Sequence, residues 1–283
     1  MKRILLMLLV AVSLPAVATT IERDVVYGHK DGMALVYDVF KPEKQNGAAV
    51  IYMVSGGWFS IWQSPDQRLD YLAPLLDEGF TVVAVHHGSA PRFKVPEAVS
   101  DVRAAVRHFK ENARSSGVDP ARLGVWGGSA GGHLTLMLGL NPEGIPDSST
   151  EGQRRLAPAY AVDADDDAGV AALVAFYPPV DIRPRVGPSD RFPALDFPTA
   201  QAAAISPILF VTPDDPPTKL IHGDADDLVP VRDSQVMAEA LTGAGVVHEL
   251  MVIEGGDHGF RNPEHRARAM AAMVDWFKRY LLD

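Results

Sequence analysis

Cysteine is absent from all 283 residues. Its absence removes disulfide scaffolds, thiolate zinc sites, iron–sulfur clusters and cysteine nucleophiles, together with lipid attachment through an N-terminal cysteine. Positive charge is in deficit, because 26 Lys and Arg face 36 Asp and Glu and leave a net charge of −10 at pH 7. Such a field repels phosphate backbones, so nucleic acid is not an expected partner. Long apolar runs are also missing. A bilayer core of about 30 Å takes roughly 20 apolar residues, and neither Ile4 to Val12 nor any later stretch meets that need. No internal repeat is visible. What remains is 47% hydrophobic and 22% charged, a composition that buries a sizeable core in one domain of ordinary to large size.

The N-terminus has the form of a secretory leader. Lys2 and Arg3 precede the Ile4 to Val12 run, and Ala16-Val17-Ala18 then offers the small-x-small pattern read by signal peptidases. The expectation is a leader over residues 1–18, a domain over residues 19–283, and export to the periplasm or beyond. Removing Lys2 and Arg3 with the leader brings the net charge to −12.

Beyond Thr20, short apolar runs alternate with longer amphipathic ones, as in a mostly parallel sheet covered by helices. Ala48 to Val54, Val82 to Val85, Val170 to Tyr177 and Leu220 to Ile221 are continuous rather than alternating in apolarity, which predicts strands buried on both faces. A helix over Pro96 to Ala113 is predicted from Val99, Val102, Val106 and Phe109, spaced at three and four, with Arg103, Arg107 and Lys110 on its other face. Further helices are expected at Arg68 to Glu78, Ala130 to Leu140, Val231 to Ala244 and Pro263 to Leu282. Asp24 to Tyr27 and Met33 to Phe40, joined through Lys30-Asp31-Gly32, predict an antiparallel hairpin at one sheet edge. Asn141 to Ala168 and Arg183 to Pro207 lack periodicity and are expected to be loops.

The chemistry starts after the run Leu123 to Trp126, where Gly127-Gly128-Ser129-Ala130-Gly131 forms G-x-S-x-G ahead of a helix. A serine on so sharp a strand-to-helix turn needs glycines beside it for close backbone approach, and the helix N-terminus aims N–H groups at developing negative charge. A serine also needs a base and an orienting acid. Asp224, Asp226 and Asp227 follow the Leu220-Ile221 strand, and His258 follows the run Leu250 to Ile253. The chain order Ser, Asp, His matches this arrangement. His86 and His87 precede the serine, and His133 lies on the helix after it, in a place that suits packing or local hydrogen bonding. Ser55-Gly56-Gly57 follows another strand and offers backbone N–H groups for an oxyanion hole, with the N–H of Ala130 as second donor.

These residues together resemble the α/β-hydrolase superfamily, in its esterase and lipase branch near the hormone-sensitive-lipase-like and feruloyl or acetylxylan esterase-like groups. The likeness runs through Val118-Asp119-Pro120-Ala121-Arg122-Leu123, the Gly-Gly-Ser-Ala-Gly-Gly-His elbow, Thr212 to Pro217 and the acid loop His222 to Pro230. It implies a mostly parallel sheet with an antiparallel N-terminal hairpin, helices on both faces, and a short or absent cap. It implies Ser129 as nucleophile, His258 as base and Asp226, four residues after His222, as acid. It also implies hydrolysis of short-acyl or aryl esters, from small molecules or polysaccharides, without metal or organic cofactor. The branch's His-Gly-Gly-Gly signature appears here as Val54-Ser55-Gly56-Gly57, lacking the histidine and first glycine.

Two rival readings use the same residues: an amidase, formamidase or peptidase with this triad, and a non-catalytic binding protein on the hydrolase fold. Trp58, Phe59, Trp62 and Tyr177 are the aromatic candidates for a substrate pocket. Asp163, Asp165 and Asp167 alternate like the start of an EF-hand loop, but Ala168 and Val174 stand where glycine and glutamate are needed, so a solvated acidic loop is expected.

Overall fold

The computed structural model describes residues 19–142 and 168–283. The expected leader and the alternating Asp163, Asp165 and Asp167 lie outside the described residues. An eight-stranded sheet forms the centre, in the order β1-β2-β4-β3-β5-β6-β7-β8. Strands β1 (Thr20–Lys30) and β2 (Met33–Lys41) form the antiparallel edge hairpin, and β2 also runs antiparallel to β4 (Thr81–Val85). From β4 onward, β3 (Ala49–Met53), β5 (Leu123–Gly128), β6 (Ala172–Phe176), β7 (Thr218–Gly223) and β8 (His248–Ile253) are parallel.

The continuous apolarity of the central strands has the expected cause, since both faces are covered. Ile51, Met53, Val83, Val85, Val125 and Leu173 point into one core with α2 (Val95–Asn112), α3 (Ala130–Leu140) and α4 (Arg232–Ala244). Val50, Val82, Ala84, Trp126, Val174 and Ile221, one residue out of phase, enter the other with α1 (Leu69–Leu76) and α5 (Pro263–Leu281). The alternation is that of a pleated strand. No helix among the described residues is long and apolar enough to cross a membrane.

Several boundaries differ from the sequence expectations. β1 begins earlier than Asp24 because the strand absorbs irregularities: its register with β2 shifts between Glu22 and Val25, where Asp24 takes φ 51° and donates its N–H to Asp38 Oδ1 at 3.0 Å. β7 extends past Leu220-Ile221 on both sides, since the buried polar groups of Thr218, Lys219 and His222 all find partners. The helix expected at Arg68 is entered through a 3₁₀ turn, Pro65–Arg68, and stops at Leu76. Arg103, expected on the face of its helix opposite the apolar residues, donates from Nε and Nη2 to Asn141 O at 3.0 and 2.6 Å and so ties α2 to the C-terminus of α3. The aperiodic stretch after β6 is a strap of 3₁₀ turns from Arg183 to Leu209 rather than plain loop.

Strand order reverses around β3, with β4 on one side and β5 on the other. In parallel sheets the crevice opens at the carboxyl ends of the strands beside such a reversal. The turns leaving β3 and β5 therefore lie next to each other, and those leaving β7 and β8 converge on the same edge.

Candidate active site

Ser129 sits between β5 and α3 with φ 55° and ψ −120°, a conformation that L-residues rarely adopt. Close backbone approach holds it there. Its N–H donates to Phe176 O at 2.9 Å, and Gly127 passes so near the helix that an added Cβ would lie 2.5 Å from the carbonyl carbon and oxygen of Gly131. Gly127→Ala should therefore destabilise the fold by about 1–3 kcal/mol through overpacking against backbone that cannot rotate away. Urea denaturation checks this beside Gly243→Ala, a helical site where a Cβ meets nothing within 4 Å, and where about 0.5–1 kcal/mol of stabilisation is expected.

The three residues that the resemblance implies meet. His258 Nε2 is 3.0 Å from Ser129 Oγ, and His258 Nδ1 is 2.7 Å from Asp226 Oδ2. The Asp226 side chain is 0% exposed and that of His258 is 18% exposed. Asp226 Oδ1 accepts the N–H groups of Leu228 and Val229, each at 2.9 Å, so the acid is set by its own loop. His222 lies 3.3 Å from Oδ2, its Nε2–H donates to Val229 O at 2.8 Å, and its Nδ1 accepts from Ser234 Oγ at 2.7 Å. Burial by itself pushes the Asp226 carboxyl up. Hydrogen bonds from His222, His258 and the backbone of Val229 and Leu228 outweigh that and hold it well below the usual carboxylate range. Asp224 plays a different part, accepting the Gly255 N–H at 2.6 Å and so joining the acid loop to the histidine loop. Asp227 is exposed.

One of the aromatic candidates, Tyr177, packs under the imidazole, a contact with His258 that sequence pattern did not announce. Tyr177, at the end of β6 with φ 37°, stands 4.6 Å from the His258 ring and also contacts His222 and Phe260. It forms a wall for the base.

The turn after β3 corrects one expectation. Gly56 N–H donates to Phe59 O and Phe59 N–H donates to Gly56 O, both at 3.0 Å, closing a two-residue hairpin with Gly57 at φ 58° and Trp58 at φ 60°. The amide of Gly56 is thereby committed, and Gly56 drops out as an oxyanion donor. The N–H of Gly57 makes no such bond, and Ala130 opens α3, where the first N–H groups have no partner within the helix. Phe192 of the strap lies over this turn, its ring 3.1 Å from where a Gly57 Cβ would be. Beside it opens a cavity of about 460 Å³ lined by Phe59, Pro91, Pro188, Pro193, Asp190 and Asp196. Trp58 is buried against His133, and Trp62 is exposed.

A doubly covered parallel sheet with an antiparallel hairpin at its edge, and a strained serine facing a histidine and an aspartate from the last two strand ends, defines an α/β-hydrolase. More narrowly, the chain belongs to the BD-FAE family, whose model matches residues 37–241. Among curated proteins it is similar to the probable carboxylic ester hydrolase LipM of Mycobacterium tuberculosis, at 27% identity over 69% of this chain and 45% of that protein. Esterase LipQ of the same organism is 28% identical over 78% of this chain and 53% of the relative. The chain thus spans about half the length of these two relatives. Among solved structures, a truncated carbohydrate esterase from gut microbiota superposes with a TM-score of 0.75 at 28% identity, covering 92% of this chain and 95% of that one. Thermogutta terrifontis esterase 2 phosphonylated by cyclosarin gives 0.71 at 27% identity, over 94% and 95%.

Proposed function

We propose that this protein is an exported serine carboxylesterase that cleaves short-acyl or aryl esters through an acyl-enzyme. The observation that carries this reading is the continuous relay from Ser129 Oγ through His258 to the buried Asp226, at 3.0 and 2.7 Å. Names among its relatives, carboxylic ester hydrolase, esterase and carbohydrate esterase, support the same class of substrate. Export rests on the leader pattern of residues 1–18.

In the reading, the Ser129 hydroxyl forms a bond to the ester carbonyl carbon while its proton passes to His258 Nε2. The carbonyl oxygen becomes an oxyanion and accepts hydrogen bonds from the N–H groups of Ala130 and Gly57. As the C–O bond to the alcohol breaks, the imidazolium gives its proton to the leaving oxygen. Water then attacks the acyl-enzyme, losing a proton to His258, and the carboxylic acid leaves as the proton returns to Ser129. Asp226 keeps Nδ1–H pointed toward itself and stabilises the imidazolium, so Nε2 faces the serine as an acceptor.

The test is nitrophenol release from acetyl, butyryl and octanoyl esters by protein recovered from the exported fraction, with its first residue read to locate the cleavage. Turnover that falls with acyl length is the expected result. No turnover of any of the three by folded protein would refute the reading. Slow esters beside rapid formamide hydrolysis would transfer the same residues to amide chemistry.

A further inference from the structure

The turn that carries Gly57 is an unusual piece of backbone to keep still. Two successive residues hold positive φ, and one of them is a tryptophan, a residue that needs its surroundings to keep it in that region. An oxyanion donor, moreover, loses most of its effect when displaced by about 1 Å. Two imidazoles that the relay does not use lie at the two ends of this turn.

At its start, Ser55 Oγ–H donates to His87 Nε2 at 2.8 Å, while His87 Nδ1–H donates to Gly88 O at 2.9 Å. At its end, Trp58 Nε1–H donates to His133 Nδ1 at 3.3 Å, while His133 Nε2–H donates to Ile205 O at 2.8 Å. The two sites share one logic. A backbone carbonyl takes the single N–H of each ring and fixes its tautomer, so the other nitrogen can only accept. Burial holds both rings below the ordinary imidazole range, His133 at about 4, so both are neutral near pH 7 and stay acceptors. His87 is 4% exposed and His133 is 0% exposed. Their anchorages differ usefully. His87 stands two residues past the end of β4, where the N–H of Gly88 is held by Asp101 of α2 at 2.8 Å. His133 is one turn into α3, its own N–H donating to Ser129 O at 2.9 Å.

We infer that His87 and His133 are positioning residues for the oxyanion turn, gripping Ser55 and Trp58 so that the Gly57 N–H keeps a fixed place relative to Ser129. The imidazole missing at position 54 is in effect delivered from the loop after the neighbouring strand, with Ser55 as its contact. This inference rests on the esterase reading above.

The test removes the donors and leaves the rings, in the full chain. Ser55→Ala and Trp58→Phe should each lower kcat for nitrophenyl acetate by about tenfold to a hundredfold, with KM within threefold and melting temperature nearly unchanged. The affinity of a trifluoromethyl ketone, whose adduct with a serine carries the oxyanion, should fall by the same factor as kcat/KM. His87→Gln and His133→Asn place a carbonyl oxygen near the lost acceptor nitrogen and should retain most activity, whereas His87→Leu and His133→Leu should not. Wild-type turnover with kcat within twofold in both donor variants would overturn the clamp alone. So would a fall in kcat without loss of ketone affinity. Misfolding of the histidine variants leaves Ser55→Ala and Trp58→Phe to decide. A wild-type protein that hydrolyses no ester would take down the esterase reading and the clamp with it.

Discussion

Ser129→Ala is expected to lower kcat for nitrophenyl acetate by about 10⁴- to 10⁶-fold while leaving the melting temperature within a degree or two. The two halves of this expectation come from one geometry. Alanine keeps the Cβ that makes φ 55° costly, so the elbow is no more strained than before. The close packing of Gly127 on Gly131 and the Phe176 hydrogen bond do not involve the hydroxyl. Activity, by contrast, loses the atom placed 3.0 Å from His258 Nε2 to attack the carbonyl. A residual rate above water is expected from the turn and the binding surface alone. Activity within tenfold of wild type, measured with the enzyme titrated for contaminating esterase, would move the nucleophile away from residue 129.

Much of the fold was legible because its signals are local. Continuous apolarity in Ala48 to Val54, Val82 to Val85 and Val170 to Tyr177 announced strands covered on both faces, found at Ala49–Met53, Thr81–Val85 and Ala172–Phe176, and the spacing of Val99, Val102, Val106 and Phe109 announced one side of α2. Signals failed where burial of polar groups depends on distant partners. Lys219 reads as exposed, yet it lies buried in β7 because Glu249 of β8 accepts from it at 2.5 Å. The strap from Arg183 to Leu209 has no periodicity to find, since its prolines break any longer helix into single turns.

The candidate site divides in the same way. Ser129, Asp226 and His258 stand at strand ends, where chain order and short motifs restrict them. The oxyanion turn is different. Whether Gly56 or Gly57 can serve is decided by one backbone bond, Gly56 N–H to Phe59 O, and no residue type announces that bond. His87 and Tyr177 carried no motif either. Each matters through the ring or hydroxyl it meets on another strand's turn, Ser55 for the first and His258 for the second.

Asp226→Asn provides the sharpest test of the acid's part, because its volume is nearly unchanged and its hydrogen-bonding sense is not. The amide has one acceptor, and two backbone N–H groups at 2.9 Å claim it for the loop. Its NH₂ then faces His258 Nδ1 and lies toward His222 Nε2–H. To accept from that NH₂, His258 must move its own proton to Nε2, which points a donor at Ser129 and leaves no base to take the hydroxyl proton. A loss of about 10⁴-fold in kcat is expected at neutral pH. Stability supplies an independent readout with a definite sign. Since the folded carboxyl lies below its ordinary range, wild type gains stability from Asp226 that is fully present above the unfolded carboxyl's pKa, about 3.9, and is lost as pH falls below it. The variant has no such group. Urea midpoints for wild type and Asp226→Asn should therefore be well separated from pH 5 to 7 and converge as the pH drops through the acid range. Parallel curves down to the lowest pH at which the fold survives would mean that His222, His258 and the loop do not hold this carboxyl charged, and that the kinetic loss has another origin.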